Sequence, residues 1–341
     1  MIPHNRPSLG QEEITAVQEV ISSGWIASGE KVKQFEQAFA DYVGAKHAIA
    51  VNSGTAALYI ALEILDMQYE IRIPTYSCSA LFNAILMTDA FPKIVDIEKS
   101  DFNTKYIHDC AFDKSIGHIL VHTFGVPQKI IRKYKYPLII EDCSQALGSF
   151  IDGQHVGLQG DIGIFSFGPS KMITTGSGGM LVTNNKDLAD KAREFLDYAK
   201  HIPAFNFAMN DLQAAMGIEQ LKKLPEFLRK RKEMAFEYTT ICISKGWNRQ
   251  VSNFVNFVDR NWYRFVIIDE CVDRLKQHLA DNGITAIVPI EQRELLHNML
   301  GLDAGNYKNA EWVSAHTLSL PIYPDLIDSG FEKVIEVLRR F

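Results

Sequence analysis

The sequence predicts an α/β fold: a mostly parallel central sheet with helices on both faces, plus a small α+β C-terminal domain. Three observations carry that expectation. Short apolar runs alternate with helical stretches through the first part of the chain, as in a parallel sheet joined by crossover helices. Ser53-Gly54-Thr55, Asp142 and Lys171 each follow such a run, and ligands of parallel sheets gather at the carboxyl ends of the strands. Beyond the basic run Arg229-Lys230-Arg231-Lys232, the pattern changes to one aromatic-rich strand and amphipathic helices. At 341 residues the chain exceeds one average domain. Two are expected: residues 1–225 as the large α/β domain and 226–341 as the small one.

The elements follow in order. Ile14, Val17, Val20 and Ile21 recur at helical spacing within 12–22, after the cap candidate Ser8. Residues 24–29 form a loop. A second helix places Val32, Phe35, Phe39, Tyr42 and Val43 on one face and stops at Gly44. His47-Ala48-Ile49-Ala50-Val51 is a buried-strand pattern, broken by Asn52-Ser53-Gly54, and 55–65 is helical. Ile71-Arg72-Ile73 ends at Pro74, 80–87 is helical, and 94–96 and 118–122 are strands. Pro137-Leu138-Ile139-Ile140 runs into Glu141-Asp142, and 161–167 is a further strand. Gly168, Pro169 and Ser170 end it, Lys171 follows, and Gly176, Gly178 and Gly179 predict a tight loop. Helices are expected over 187–200 and 211–224, with the basic run as a solvated helix face. The C-terminal part reads as a strand over 261–268 and a helix over 271–280. A last helix carries Phe331, Val334, Ile335, Leu338 and Phe341 on one face.

Composition narrows the classes. Hydrophobic content of 47% with 22% charged residues fits a globular protein with a sizeable core. A net charge of −6 argues against a nucleic-acid surface, which needs clustered positive charge. The five cysteines (Cys78, Cys110, Cys143, Cys242 and Cys271) are widely spaced and contain no CxxC. Neither a disulfide framework nor a zinc ribbon is expected, and a reducing compartment fits. Residues 1–5 carry no leader pattern and no apolar run has membrane-spanning length, so a cytoplasmic protein is expected.

The chemistry rests on three places. A glycine turn opening a helix presents free N–H groups and a positive dipole end, which favour a phosphate; alone, Ser53-Gly54-Thr55 is as well explained as an N-cap. Asp142, at the end of an apolar strand, needs a positive partner if buried, and a protonated pyridine nitrogen is one. Its plain alternative is to cap a helix over 143–147. Lys171, at a strand exit inside a glycine-bracketed loop, is placed for imine chemistry; its plain alternative is a surface lysine in a turn.

Taken together these segments resemble the DegT/DnrJ/EryC1/StrS family of sugar aminotransferases. The likeness rests on Ser53-Gly54-Thr55-Ala56-Ala57-Leu58, Glu141-Asp142-Cys143-Ser144-Gln145-Ala146, and Phe165-Ser166-Phe167 followed by Lys171, 29 positions after Asp142. It begins at Gly24-Trp25 and Phe35-Glu36, continues through Asn206 and Gln213-Ala214-Ala215-Met216-Gly217, and reaches Leu318-Ser319-Leu320-Pro321. The resemblance implies pyridoxal 5′-phosphate as cofactor and the aspartate-aminotransferase fold. Lys171 would join the cofactor as an imine and, once displaced, move a proton between substrate and cofactor. Asp142 would pair with the ring nitrogen and Gln145 would lie against the ring or its hydroxyl. Gly54, Thr55 and Ser166 would hold the phosphate. Asn206 would reach the phosphate of a neighbouring subunit, implying a homodimer with shared sites. The implied reaction converts a nucleotide-linked keto-sugar to an amino sugar with L-glutamate as donor.

Three departures stand out. Ser177 replaces a carboxylate in the family's Gly-Glu-Gly-Gly. Ala208 replaces an arginine two positions after the asparagine. The family's aromatic that stacks on the ring falls at Cys78, so either Tyr76 substitutes or a smaller group covers the ring face. His118 and His122 are four apart, but on a strand and with no accompanying carboxylate, so no metal site is expected. His122 is expected near the pocket and His297 close to the sugar. Two rival functions are weighed. A dehydratase of the same family would need a histidine in place of Lys171. A regulator without turnover would draw support only from Ser177 and Ala208.

Overall fold

Two helices precede the sheet. The computed structural model describes residues 1–104, 116–130, 138–197, 200, 205–249 and 259–341; Cys110, Pro137, residues 198–199 and Ala204 lie outside them. Helix α1 (Gln11–Ser23) starts after Gly10, whose N–H donates to Glu13 Oε2 at 2.7 Å, so Ser8 is not its cap. It buries Glu13, Ala16 and Val20 and leaves Ile14 and Ile21 each 60% exposed, so of the expected core face Val20 is buried and the two isoleucines are not. Helix α2 (Glu30–Val43) buries Val32, Phe35, Phe39 and Val43 and stops at Gly44, whose φ of 78° lets the chain turn away.

The sheet then builds as the alternation predicted. Strand β1 (His47–Val51) leads into α3 (Gly54–Ile64), then β2 (Glu70–Pro74), α4 (Ala80–Leu86), β3 (Phe91–Val95), β4 (Ile116–Val121) and β5 (Leu138–Asp142). A small hairpin, β6 (Phe150–Ile151) and β7 (Gln154–His155), precedes β8 (Ile162–Ser166) and β9 (Gly179–Thr183). Among the described residues the central sheet has seven strands in the order β1-β9-β8-β5-β4-β2-β3, with only β9 antiparallel to its neighbours. Strand β9 escaped the sequence reading because Met180-Leu181-Val182 hides behind glycines that predict only a loop.

Alternation along β1 divides the core between the two sheet faces. Ala48 and Ala50 pack with Phe35, Phe39, Phe165 and Phe167. Ile49 and Val51 pack with α3, α4 and Phe195 of α5 (Lys186–Phe195). Register aligns Val121 with Asp142, Asp142 with Ile164, and both Ser166 and Val51 with Gly179. The ends of β4, β5 and β8 therefore form one edge.

Helix α6 (Asp211–Lys245) runs 35 residues through Pro225, well past the expected end at 224. Position 226 lies inside it. Proline removes one helical hydrogen bond, which the packing of Leu224 and Phe227 on the core outweighs. Within the basic run Arg229 pairs with Glu226 and Glu233 in solvent, whereas Arg231 is 2% exposed, so the run is not wholly a solvated face. The rest forms an antiparallel sheet of β10 (Asn248–Arg249), β11 (Phe265–Ile268) and β12 (Thr317–Leu320). Helices α7 (Val272–Asp281), α8 (Lys308–Ala315) and α9 (Phe331–Arg340) accompany it. Strand β11 is shorter than expected because Trp262 takes φ 55°, a left-handed conformation that a strand cannot carry. No helix among the described residues is long and apolar enough to cross a membrane.

Candidate active site

Three strand ends and one turn meet at a cavity of about 240 Å³. Gly54 and Thr55 line it from the start of α3, Asp142 from the end of β5, Ser166 from the end of β8, and Lys171 from the following turn. Missing side chains set the closeness. A Cβ on Gly54 would stand 2.8 Å from Ser166 Cβ, and one on Gly179 would stand 2.4 Å from the Ser53 carbonyl oxygen. The first N–H groups of a helix have no intrahelical acceptor and sit at the positive end of its dipole. Ser53 Oγ accepts the Ala56 N–H at 3.1 Å. That leaves the Gly54 and Thr55 N–H groups for an anion, with the Ser166 hydroxyl beside them.

The opposite end of the cavity is acidic. Asp142 is 5% exposed, and its Oδ1 accepts the Ser144 N–H at 2.9 Å. Residues 144–148 form a turn, so Asp142 does not cap a helix there. Gln145 lines the same wall. Its Oε1 accepts the Phe124 N–H at 2.8 Å, which leaves the amide NH₂ as the free end. Phe124 itself is held at φ 55°. The aromatic residues lining the cavity are Tyr76 and Phe124, whose ring centroids lie 6.0 Å apart, edge to face. Cys78 is exposed at the same cavity.

Three expected residues lie elsewhere. His122 is fully buried behind the wall: its Nδ1 accepts the Gln128 N–H at 3.0 Å and its Nε2 donates to Glu141 Oε2 at 3.0 Å. A carboxylate does accompany it, contrary to the sequence expectation. Glu141 also accepts N–H groups from Gly157, Gln159 and Gly160. Burial alone would raise its pKa, but these donors and His122 hold it below the ordinary value. His122, Glu141 and Cys143 lie close enough to hold an ion, yet every Glu141 oxygen and both His122 nitrogens are already bonded and burial pushes the Cys143 thiol up. The cluster is a structural pin. His297 is likewise fully buried, bonded to Thr75 Oγ1 at 2.6 Å and Glu311 Oε1 at 2.9 Å and stacked on Tyr307. Asn206 is exposed outside the cavity, and its carbonyl accepts from Asn52 Nδ2 at 2.6 Å.

Sequence reasoning missed Ser77, Thr123 and Phe124, which also line the cavity. No motif marks them. Ser177 reaches the cavity, and its Oγ donates to the Asn52 carbonyl at 2.7 Å.

A cavity with a phosphate cradle at one end, a buried carboxylate on the other wall and a lysine between fits pyridoxal 5′-phosphate. The near-contact of Gly54 with Ser166, which a single added Cβ would close, is the feature that makes the cradle. Such a floor at the carboxyl ends of a mostly parallel sheet fits a pyridoxal-phosphate-dependent transferase. The model of the DegT/DnrJ/EryC1/StrS aminotransferase family matches residues 7–339. The spore coat polysaccharide biosynthesis protein SpsC of Bacillus subtilis is 30% identical over 99% of this chain and 96% of its own. Among solved structures, the aminotransferase TlmJ from Streptoalloteichus hindustanus is 28% identical with a TM-score of 0.88, covering 100% of this chain and 98% of its own. The putative sugar aminotransferase Spr1654 from Streptococcus pneumoniae, in its PMP form, shares the fold at 24% identity and a TM-score of 0.88, over 99% of this chain and 97% of its own. The chain belongs to the DegT/DnrJ/EryC1/StrS aminotransferase family. It is a sugar aminotransferase, and its cofactor is pyridoxal 5′-phosphate.

Proposed function

We propose that the enzyme moves an amino group from L-glutamate to a nucleotide-linked keto-sugar, yielding an amino sugar. The observation that carries this reading is the meeting of Lys171, Asp142 and the Gly54–Ser166 cradle in one cavity. Bound pyridoxal phosphate supplies an electron sink for the carbon that loses or gains a proton. Lys171 is the residue that holds the cofactor and carries that proton, first as base and then as acid. Asp142 would keep the ring nitrogen protonated. The Gly54 and Thr55 N–H groups and the Ser166 hydroxyl would hold the phosphate, and Gln145 would lie against the ring or its hydroxyl. Tyr76 would cover one side of the ring. Lys171 in the cavity favours transfer over the dehydratase alternative, which needs a histidine there.

The functional unit is a homodimer. Ile14, Ile21, Trp25 and Ile26 are all exposed, Trp25 to 82%, and such apolar residues are suited to cover by a second copy. Asn206, exposed at the sheet edge, would reach the phosphate of that copy. The large domain is taken as residues 1–225 and the small one as 226–341, with α6 shared between them. The four free cysteines among the described residues support a reducing compartment such as the cytoplasm, and the name of SpsC favours a product destined for a surface polysaccharide.

The test is incubation with L-glutamate and a panel of nucleotide-linked keto-sugars. Equal amounts of 2-oxoglutarate and amino sugar are expected from at least one pair. Turnover with L-glutamine alone would correct the donor. Equal turnover of the free sugars would remove the nucleotide from the proposal.

A further inference from the structure

His297 is fully buried, and the chemistry above gives it no part. Its bonds nonetheless join two stretches that line the cavity. Residues 290–297 begin at Ile290, which lines it; Thr75, the first residue after β2, precedes Tyr76, Ser77 and Cys78, which line it too. Thr75 is buried, and both its carbonyl and its hydroxyl are turned to the 290–297 stretch. The carbonyl accepts the Leu296 N–H at 3.1 Å. The hydroxyl oxygen accepts the His297 N–H at 3.1 Å and meets His297 Nδ1 at 2.6 Å. A carboxylate only accepts, so the ring donates from Nε2 to Glu311 Oε1 at 2.9 Å; in the neutral ring Nδ1 is then the acceptor of the Thr75 hydroxyl.

Helix α8 holds the same stretch from its other side. Glu311 also accepts from Asn298 Nδ2 at 2.6 Å and from Gln292 Nε2 at 2.9 Å. Ser314 Oγ, one turn further along, donates to the Ile290 carbonyl at 2.8 Å. The start of α8 is itself docked on the large sheet, where Asp96, just after β3, accepts the N–H groups of Asn309 and Ala310 at 3.0 Å each. The tie therefore closes. Thr75 and Asp96 leave the ends of two paired parallel strands, and His297 and α8 join them around Ile290. His297 stacks on Tyr307 inside the ring of bonds, with centroids 4.3 Å apart. Tyr76 is held separately, with its ring edge to face against Phe102 at 5.7 Å and Phe124 at 6.0 Å. What the tie sets is the place of Ile290.

We propose that Thr75 and His297 are positioning residues: by pinning residues 290–297 to the end of β2, they fix Ile290 in the cavity wall and so set the room left for the keto-sugar. The proposal rests on the reading of the substrate given above. The donor half of the reaction stands apart from the tie. Asp142 and Gln145 bond to Ser144 and Phe124, and Gly54 packs on Ser166. A nucleotide-linked sugar is far bulkier than glutamate, so it is the reactant that a shifted wall obstructs. Misplacement by about 1 Å, even from a change far from the chemistry, costs up to about 10²-fold in rate.

The experiment separates the two half-reactions of the full-length holoprotein. Bleaching of the visible band by L-glutamate reads the donor half, and the KM of an accepted keto-sugar at saturating glutamate reads the other. Thr75→Val keeps the shape and removes the hydroxyl. It is expected to raise the keto-sugar KM about tenfold and to leave the bleaching rate unchanged. Thr75→Ser should restore the KM. His297→Gln should act as Thr75→Val does, and the double variant should be no worse than either, because the two residues form one unit. A merely structural loss would lower the melting temperature and slow both halves alike. The proposal is overturned if Thr75→Val leaves the keto-sugar KM unchanged, slows both halves equally, or adds in full to His297→Gln. Should Thr75→Val not fold, Ser314→Ala, which removes only the bond to the Ile290 carbonyl, decides by the same KM. If free keto-sugars turn over as well as linked ones, the nucleotide leaves the reading of the substrate, while the same comparison still decides the tie. If only another donor bleaches the band, the donor reading fails and the comparison runs with that donor.

Discussion

The cavity floor is held together by the absence of side chains, whereas the turn behind Lys171 is held by buried charges. On the floor, Gly54 lies against Ser166 and Gly179 against the Ser53 carbonyl, so backbone sets the spacing. Behind the lysine, Arg231 and Asn261 clamp carbonyls around a left-handed Trp262. A bulky residue held left-handed costs about 1–2 kcal/mol. The guanidinium bonds that hold it exist only after α6 and the C-terminal sheet have folded onto the large sheet. The floor is therefore set by backbone and the support by buried side chains, and substitutions in the two regions should fail differently.

The largest effect belongs to the floor. Lys171→Ala should lower turnover by on the order of 10⁴-fold while leaving the melting temperature close to the wild type's. Asp142→Asn should follow at roughly 10²–10³-fold in kcat, with the phosphate still bound, because only the ring nitrogen loses its partner. The sharpest contrast pairs Gly54→Ala with Arg231→Met. Gly54→Ala forces Ser166 away from its place and should weaken cofactor binding about tenfold by fluorescence titration, with little loss of stability. Arg231→Met leaves the carbonyls of residues 262, 263 and 322 without their donor. It should destabilise the protein by about 3 kcal/mol in urea unfolding while cofactor affinity holds. If Arg231→Met released the cofactor as readily as Gly54→Ala, the contrast between floor and support would break down.

Floor and support were not equally legible in the sequence. Ser53-Gly54-Thr55, Asp142, Ser166 and Lys171 could be placed on one edge because each sits at the end of an apolar strand, and strand ends in a parallel sheet share an edge. Arg231 looked like part of a solvated run, since nothing local tells a buried arginine from Arg229 two positions earlier. Tyr263 looked like one aromatic of a strand. His122 and His297 were expected near substrate, and their carboxylate partners, Glu141 and Glu311, are settled only by tertiary packing. Helix α6 was cut short because Pro225 is a strong local stop that core contacts override.

The smallest expected effect is one of pH and spans both regions. Burial lowers His118 and His155 to about 4 and His4 to about 3, from 6.5. Below pH 6.5 the unfolded chain takes up protons that the folded one refuses, so stability must fall as pH drops from 6.5 toward 4. The melting temperature should decline by several degrees over that window, and a flat profile would show these rings free to protonate in place.

The most direct test of the account is the visible absorption spectrum of the purified protein before and after L-glutamate. The account predicts a yellow protein whose band disappears with the donor and does not form in Lys171→Ala. A protein that pyridoxal phosphate cannot turn yellow, or a Lys171→Ala variant with the wild-type band, would contradict it.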